Sequence, residues 1–194
     1  MAEIDLKSGA GARVAYLSDS VWSSGRSSTH TRAQCGPPAE RRIAPTDCAL
    51  HVVSDFILEQ PVTVSENRPI DEALREMMLA RVRAMFAVQG EVVTGLVTSY
   101  DIQGERPLQF LSTSNFSRHD EIEVAHIMTP WERVPTLDWP VVCAARVGDI
   151  ERLFERTRAT HLVLVKTRVQ RGAIVRGLIS RARLERQLGR SIDH

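Results

Sequence analysis

The strongest constraint on this chain is an internal repeat. Ile70, Ala73, Leu74, Met77 and Met78 recur at helical spacing and give one apolar stripe. Val147, Ile150, Leu153 and Phe154 repeat the stripe, each 77 positions after Ile70, Ala73, Glu76 and Met77. The strand-like run Leu162 to Val165 follows Met85 to Val88 by the same 77 positions. Gly177-Leu178-Ile179-Ser180 then lies 82 after Gly95-Leu96-Val97-Thr98, so the second hairpin loop is five residues longer. A displacement kept through a helix and a strand implies duplication. The expected fold is α/β (α+β): two pseudo-symmetric β-α-β-β-α units. Each unit alone leaves one face of a small sheet bare, so the two are expected to pack sheet to sheet.

Around that repeat the chain divides into an extension over 1–47, a first unit over 48–118 and a second over 119–194. The extension is rich in Ser, Gly, Thr and Arg and carries Pro37-Pro38. Its composition reads as a solvated tail, with docking on the body as the other reading. A short lead-in helix capped near Ser54 or Asp55 is expected before the strand Pro61 to Val64. Val124 to Thr129 matches Val53 to Leu58 in the second unit. Gly104 and Pro107 predict a broken helix after Asp101, restarting at Pro107 to Leu111. Trp131 and Trp139 flank a Pro-containing loop and read as core lids or as a dimer contact.

Charge and composition exclude several classes. The 25 basic and 24 acidic residues leave a net charge of +1, which argues against nucleic acid and anionic membranes. Three widely spaced cysteines, Cys35, Cys48 and Cys143, fit reduced thiols rather than a disulfide framework. No run approaches the ~20 apolar residues of a membrane span, and the acidic start lacks a signal-peptide core. A cytoplasmic protein is expected. The histidines show no metal spacing, so no metal is expected. Neither a nucleophile elbow nor a Gly-rich phosphate loop is present, and no enzyme activity is expected.

The candidate site is Gly95-Leu96-Val97-Thr98-Ser99-Tyr100-Asp101. A strand end delivers a hydroxyl, and a carboxylate follows at a helix start. Asp101 can accept from two neighbouring sugar hydroxyls while Thr98 meets a third atom. The alternative is structural, with Thr98 and Asp101 capping a helix. In the second unit Ser180 keeps the hydroxyl, but Arg183 replaces the carboxylate and cannot accept a hydrogen bond. Arg181, Arg183 and Arg186 either gather a phosphate or form a solvated helix face.

These residues, taken in order and in two copies, resemble a tandem pair of CBS (cystathionine-beta-synthase-type) domains, a Bateman module. The resemblance covers roughly Cys48 to Gly189. It rests on Val124 to Thr129 followed by Pro130, on Gly95 to Asp101, and on Gly177 to Ser180. It implies a regulatory sensor that binds an adenosine-containing ligand (AMP, ADP, ATP, S-adenosylmethionine or NAD) in the cleft between repeats. It also implies a homodimer that signals to a protein partner and requires no cofactor. Thr98 and Asp101 match the ribose-binding pair. His161 matches a position where a basic residue faces phosphates, and its counterpart Ala84 offers nothing to an anion. Apolar side chains around Val64 and Met85 are expected to sandwich the base, with Ser180 and Arg183 at the second half-site. The alternative is a dimerisation and interaction module that has lost its ligand.

Overall fold

The structure, a computed structural model, describes residues 7–8, 15–16, 42–114, 118–168 and 172–192. Two short strands of the extension are among them, β1 (Lys7–Ser8) and β2 (Ala15–Tyr16). Residues 42–47 of the extension dock on the second unit, with Ile43 in its core and the Ile43 N–H donating to the Gln187 carbonyl (3.1 Å), and the remainder of the expected solvated tail lies outside the described residues.

The first unit runs β3 (Ser54–Asp55), β4 (Thr63–Ser65), α1 (Ile70–Ala80), β5 (Ala84–Gln89), β6 (Val92–Thr98), α2 (Ser99–Gln103) and α3 (Arg106–Thr113). The second runs α4 (Val124–Ile127), β7 (Thr129–Pro130), β8 (Pro135–Asp138), α5 (Trp139–Ala144), α6 (Val147–Arg156), β9 (His161–Arg168), β10 (Gly172–Ser180) and α7 (Arg181–Leu188). The expected break between α2 and α3 is present: Gly104 ends one helix, and Pro107 sits in the first turn of the next.

In each unit a parallel pair joins an antiparallel hairpin, β4 with β5 and β6, and β8 with β9 and β10. Both hairpins carry a bulge at the same place. Thr94 is the extra residue on β6, and Arg176, 82 positions later, is the extra residue on β10. A bulge is a built feature rather than a defect, so its copying supports the duplication. Strand β2 lies between the two units, parallel to β10 and antiparallel to β6.

Side chains on these strands alternate between two buried faces, as the two-residue period requires. Met85, Ala87 and Val97 face the helices of the first unit. Phe86, Val93 and Leu96 face the other way and meet Val163, Val165, Ala173 and Val175 of the second unit. Leu162, Leu164 and Ile179 face the second unit's own helices. The expected sheet-to-sheet core is therefore the shared central layer.

One feature departs from the simple repeat: the lead-in segments are exchanged. Ala49 and Val52, at the start of the first unit, are buried in the core of the second. Ile122, Val124 and Ile127, at the start of the second unit, complete the core of the first. β3 pairs antiparallel with β10, and β7 with β6. The glycines permit this crossing. A Cβ at Gly95 would lie 2.6 Å from the Thr129 carbonyl oxygen, and one at Gly177 would lie 2.8 Å from that of Ser54.

Two local expectations are corrected. The first lead-in is a 3-10 turn over Ala49–Val52 followed by β3, not a helix capped at Ser54 or Asp55. Its backbone is drawn extended by pairing with β10, and Arg176 on that strand forms an ion pair with Asp55. The segment between Trp131 and Trp139 is a 3-10 turn over Trp131–Arg133 followed by β8 rather than a loop, and Trp139 opens a short extra helix, α5. Trp131 is buried in the central layer, and Trp139 lies under Arg176, whose guanidinium carbon is 4.1 Å from the ring centroid.

Candidate functional site at the junction of the repeats

The strand ends β6 and β10 deliver Thr98 and Ser180 to one edge of the molecule. Between them, where the two units meet, is a cavity of about 270 Å³. Arg83 and Tyr100 come to it from the first unit, and Arg158, His161, Ser180 and Arg181 from the second. Three guanidiniums thus converge with hydroxyls and one carboxylate, that of Glu185. Arg83 donates to the Tyr100 hydroxyl (3.3 Å). Arg181 pairs with Glu185 at 3.3 Å and donates to the Ile192 carbonyl. Arg158 is exposed and has no ion pair among the described residues. This arrangement favours an anion, because guanidiniums bind oxyanions through parallel hydrogen bonds.

His161 is buried in the wall of this cavity, and Thr160 Oγ1 lies 3.0 Å from its Nδ1. Burial pushes its pKa down to about 4, so near neutral pH it is uncharged. His161 is therefore a neutral imidazole in the cavity wall.

Thr98 and Asp101 form a complete capping box. The Thr98 backbone N–H and hydroxyl both donate to Asp101 Oδ2 (2.8 Å each), and the Asp101 N–H donates to Thr98 Oγ1 (3.2 Å). The other carboxylate oxygen, Oδ1, is 3.0 Å from Arg106 Nη1. That same nitrogen donates to the Ile127 carbonyl (2.7 Å) and to Thr129 Oγ1 (3.2 Å). Asp101 thus caps its helix and, through Arg106, ties it to the exchanged lead-in of the second unit. Neither Thr98 nor Asp101 lines the junction cavity; Tyr100, between them, does.

The remaining expected site residues separate. Ser180 lines the cavity and makes no side-chain cap to its helix. Arg183 turns away, with Nη1 donating to Ser54 Oγ at 2.9 Å, so it does not join Arg181 around an anion. Val64 and Met85 lie in the first unit's own helix-side core. Strand alternation points them under α1 and α2 rather than at the junction, which removes the expected wall for a base. Sequence reasoning passed over Arg83, Tyr100, Arg106 and Arg158. Arg158 lies three positions before His161, and Arg83 one before its counterpart Ala84, so comparing the flanks of those two positions was the available signal.

Residues 53–106 match the family model described as CBS domain. No curated protein matches the chain. Its fold is similar to that of a CBS-domain protein from Burkholderia ambifaria MC40-6, at 21% identity and TM-score 0.51 over 70% of this chain and 93% of that one. An uncharacterized conserved protein from Pyrococcus horikoshii is similar at 17% identity and TM-score 0.51, over 78% and 99% of the two chains. The CBS domain of a bacterial CNNM/CorC family Mg2+ transporter, solved in complex with ATP, is similar at 10% identity and TM-score 0.50, over 76% and 91%. Among the described residues no helix is long and apolar enough to cross a membrane. No group of three or more His, Cys, Asp or Glu there is placed to hold a metal ion.

Proposed function

We propose that the protein is a regulatory module that binds a phosphate-bearing adenosine ligand at the junction of its two repeats. The observation that carries this reading is the convergence of Arg83, Arg158 and Arg181 on one cavity shared by both halves. The phosphates occupy that cavity. His161 donates from its wall and takes up a proton as negative charge arrives, so binding strengthens as pH falls from neutrality. The ribose reaches the neighbouring Thr98–Asp101 pair, where its hydroxyls take over the Asp101 oxygen now held by Arg106. The ATP complex of the transporter's CBS domain supports the ligand class.

Regulation follows from the site's position. A ligand contacting both units stabilises one setting of the two, and a protein partner reads that setting. No catalytic step is part of this reading, and the module works in the cytoplasm. Met78, Leu79 and Leu108 expose apolar surface on α1 and α3, which suits a homodimer.

Isothermal titration with AMP, ATP and S-adenosylmethionine tests the reading on wild type, Arg158→Ala and Asp101→Ala. Arg158→Ala is expected to weaken ATP at least tenfold, and Asp101→Ala to weaken all three. Equal affinities in the three proteins would remove the site. Absence of any binding would favour the ligand-independent interaction module.

A further inference from the structure

A second and larger cavity, of about 500 Å³, lies between α3 and the α4–β7 lead-in. It shares no lining residue with the junction cavity. Its polar wall is made by Arg106, Arg133, Gln109 and Thr129, and its aromatic wall by Phe110 and His126. Those two rings stack with centroids 4.5 Å apart and planes 14° from parallel.

Three observations define what this cavity accepts. First, no carboxylate is among its lining residues, so its two guanidiniums face no acidic competitor within it. Second, Arg133 is exposed and has no ion pair among the described residues. The Nη1 of Arg106 is committed to Asp101, Ile127 and Thr129, and its other guanidinium nitrogens have no partner there. Third, His126 Nδ1 accepts the Glu123 backbone N–H (3.1 Å), which fixes the setting of the ring in the cavity wall. A volume of this size is ordinary for a small-molecule site. Its polar lining offers N–H and O–H donors with two fixed positive charges.

We propose that this cavity is a ligand site separate from the junction, taking a small molecule that carries a phosphate or pyrophosphate group. Arg133 provides the uncommitted guanidinium and Arg106 the second, which together suit the several oxygens of a phosphoryl group. Phe110, Ile127 and Met128 line the space for the rest of the molecule.

The test is isothermal titration of the full chain with inorganic pyrophosphate at fixed ionic strength. Wild type is compared with Arg133→Ala, Arg158→Ala and Arg75→Ala. Arg133 is exposed, so its removal leaves the fold intact, and Arg75 is an exposed cation outside both cavities. Arg133→Ala is expected to weaken one binding event at least tenfold, Arg158→Ala to spare that event, and Arg75→Ala to change nothing. A single event lost in Arg133→Ala but kept in Arg158→Ala supports this site and sinks the junction reading. An Arg133→Ala titration that superimposes on wild type overturns the proposal. So does equal weakening by Arg75→Ala, or the absence of any binding to wild type.

Discussion

The helix that follows β6 and the helix that follows β10 start from the same plan and end in different chemistry. Both begin at a strand end three residues after a glycine, and both carry a hydroxyl at the cap position. In the first unit that hydroxyl and Asp101 close a capping box, and Arg106 bridges the carboxylate to the exchanged lead-in. In the second unit Ser180 caps nothing, and Arg183 reaches its lead-in directly through Ser54. The two links do the same mechanical work, holding a helix to the segment that crosses from the other unit. Only the first makes its link through a carboxylate, while the second unit's Glu185 is paired with Arg181 in the junction cavity. A duplicated scaffold thus keeps its glycines and bulges while its polar side chains diverge, and only the first half keeps a carboxylate three residues after the cap.

The contrast between His161 and its counterpart Ala84 predicts the largest effect. Burial lowers the histidine's pKa to about 4 in the folded chain, against about 6.5 when unfolded. Between those values the unfolded chain binds more protons, so stability rises with pH through that window and is lost as pH falls through it. Integrated over the window, the loss is about 3 kcal/mol. Urea midpoints measured from pH 7 to pH 4 are expected to fall more steeply in wild type than in His161→Gln. Parallel curves for the two proteins would show that His161 ionises freely. Bound anion in the junction cavity is expected to reduce the slope.

The two exchange glycines come next, and they test whether both crossings are equally tight. A methyl at Gly95 meets backbone oxygen at 2.6 Å and Met128 Sδ at 2.8 Å, whereas one at Gly177 meets Ser54 oxygen at 2.8 Å and Val53 Cγ1 at 3.0 Å. Backbone cannot rotate away as a side-chain tip can. Each Gly→Ala substitution is expected to cost roughly 1–3 kcal/mol by overpacking, with Gly95→Ala the more damaging. Denaturant unfolding of the two variants decides the order; a neutral Gly95→Ala would mean that the β7 crossing is loose.

Much of this architecture is legible in the residue pattern, because stripes and strand alternation are local. The 77-residue displacement between Ile70 and Val147 marks the duplication without any structure, and Gly104 with Pro107 marks the helix break. What is hidden depends on contacts between segments distant in sequence. Val53 to Leu58 and Val124 to Thr129 look alike, yet the helical turn precedes Val53 in the first lead-in and begins at Val124 in the second, because pairing of β3 with β10 and of β7 with β6 sets where each strand lies. Arg106 lies five residues past Asp101, across a break, so no helical spacing announces their ion pair. Arg83 and Arg158 read as ordinary surface cations until the two units bring them to one cavity. Val64 and Met85 were legible as apolar, but which sheet face they occupy decides between core and ligand wall.

The smallest effect compares the caps themselves. Thr98→Ala removes the hydroxyl that accepts the Asp101 N–H and donates to the Asp101 carboxylate, and loss of such a cap costs about 1 kcal/mol. Ser180→Ala removes a hydroxyl with no capping bond, so a change of no more than about 0.5 kcal/mol is expected. Ligand affinity separates the roles further. Ser180 lines the junction cavity, so Ser180→Ala is expected to weaken ATP about threefold while leaving the urea midpoint in place. Thr98→Ala is expected to lower both, because freeing the Asp101 carboxylate from its cap lets it swing towards Arg106 and away from the ribose. Equal stability losses in the two variants would show that the repeats retain one capping chemistry, and the divergence would then rest on Asp101 and Arg183 alone.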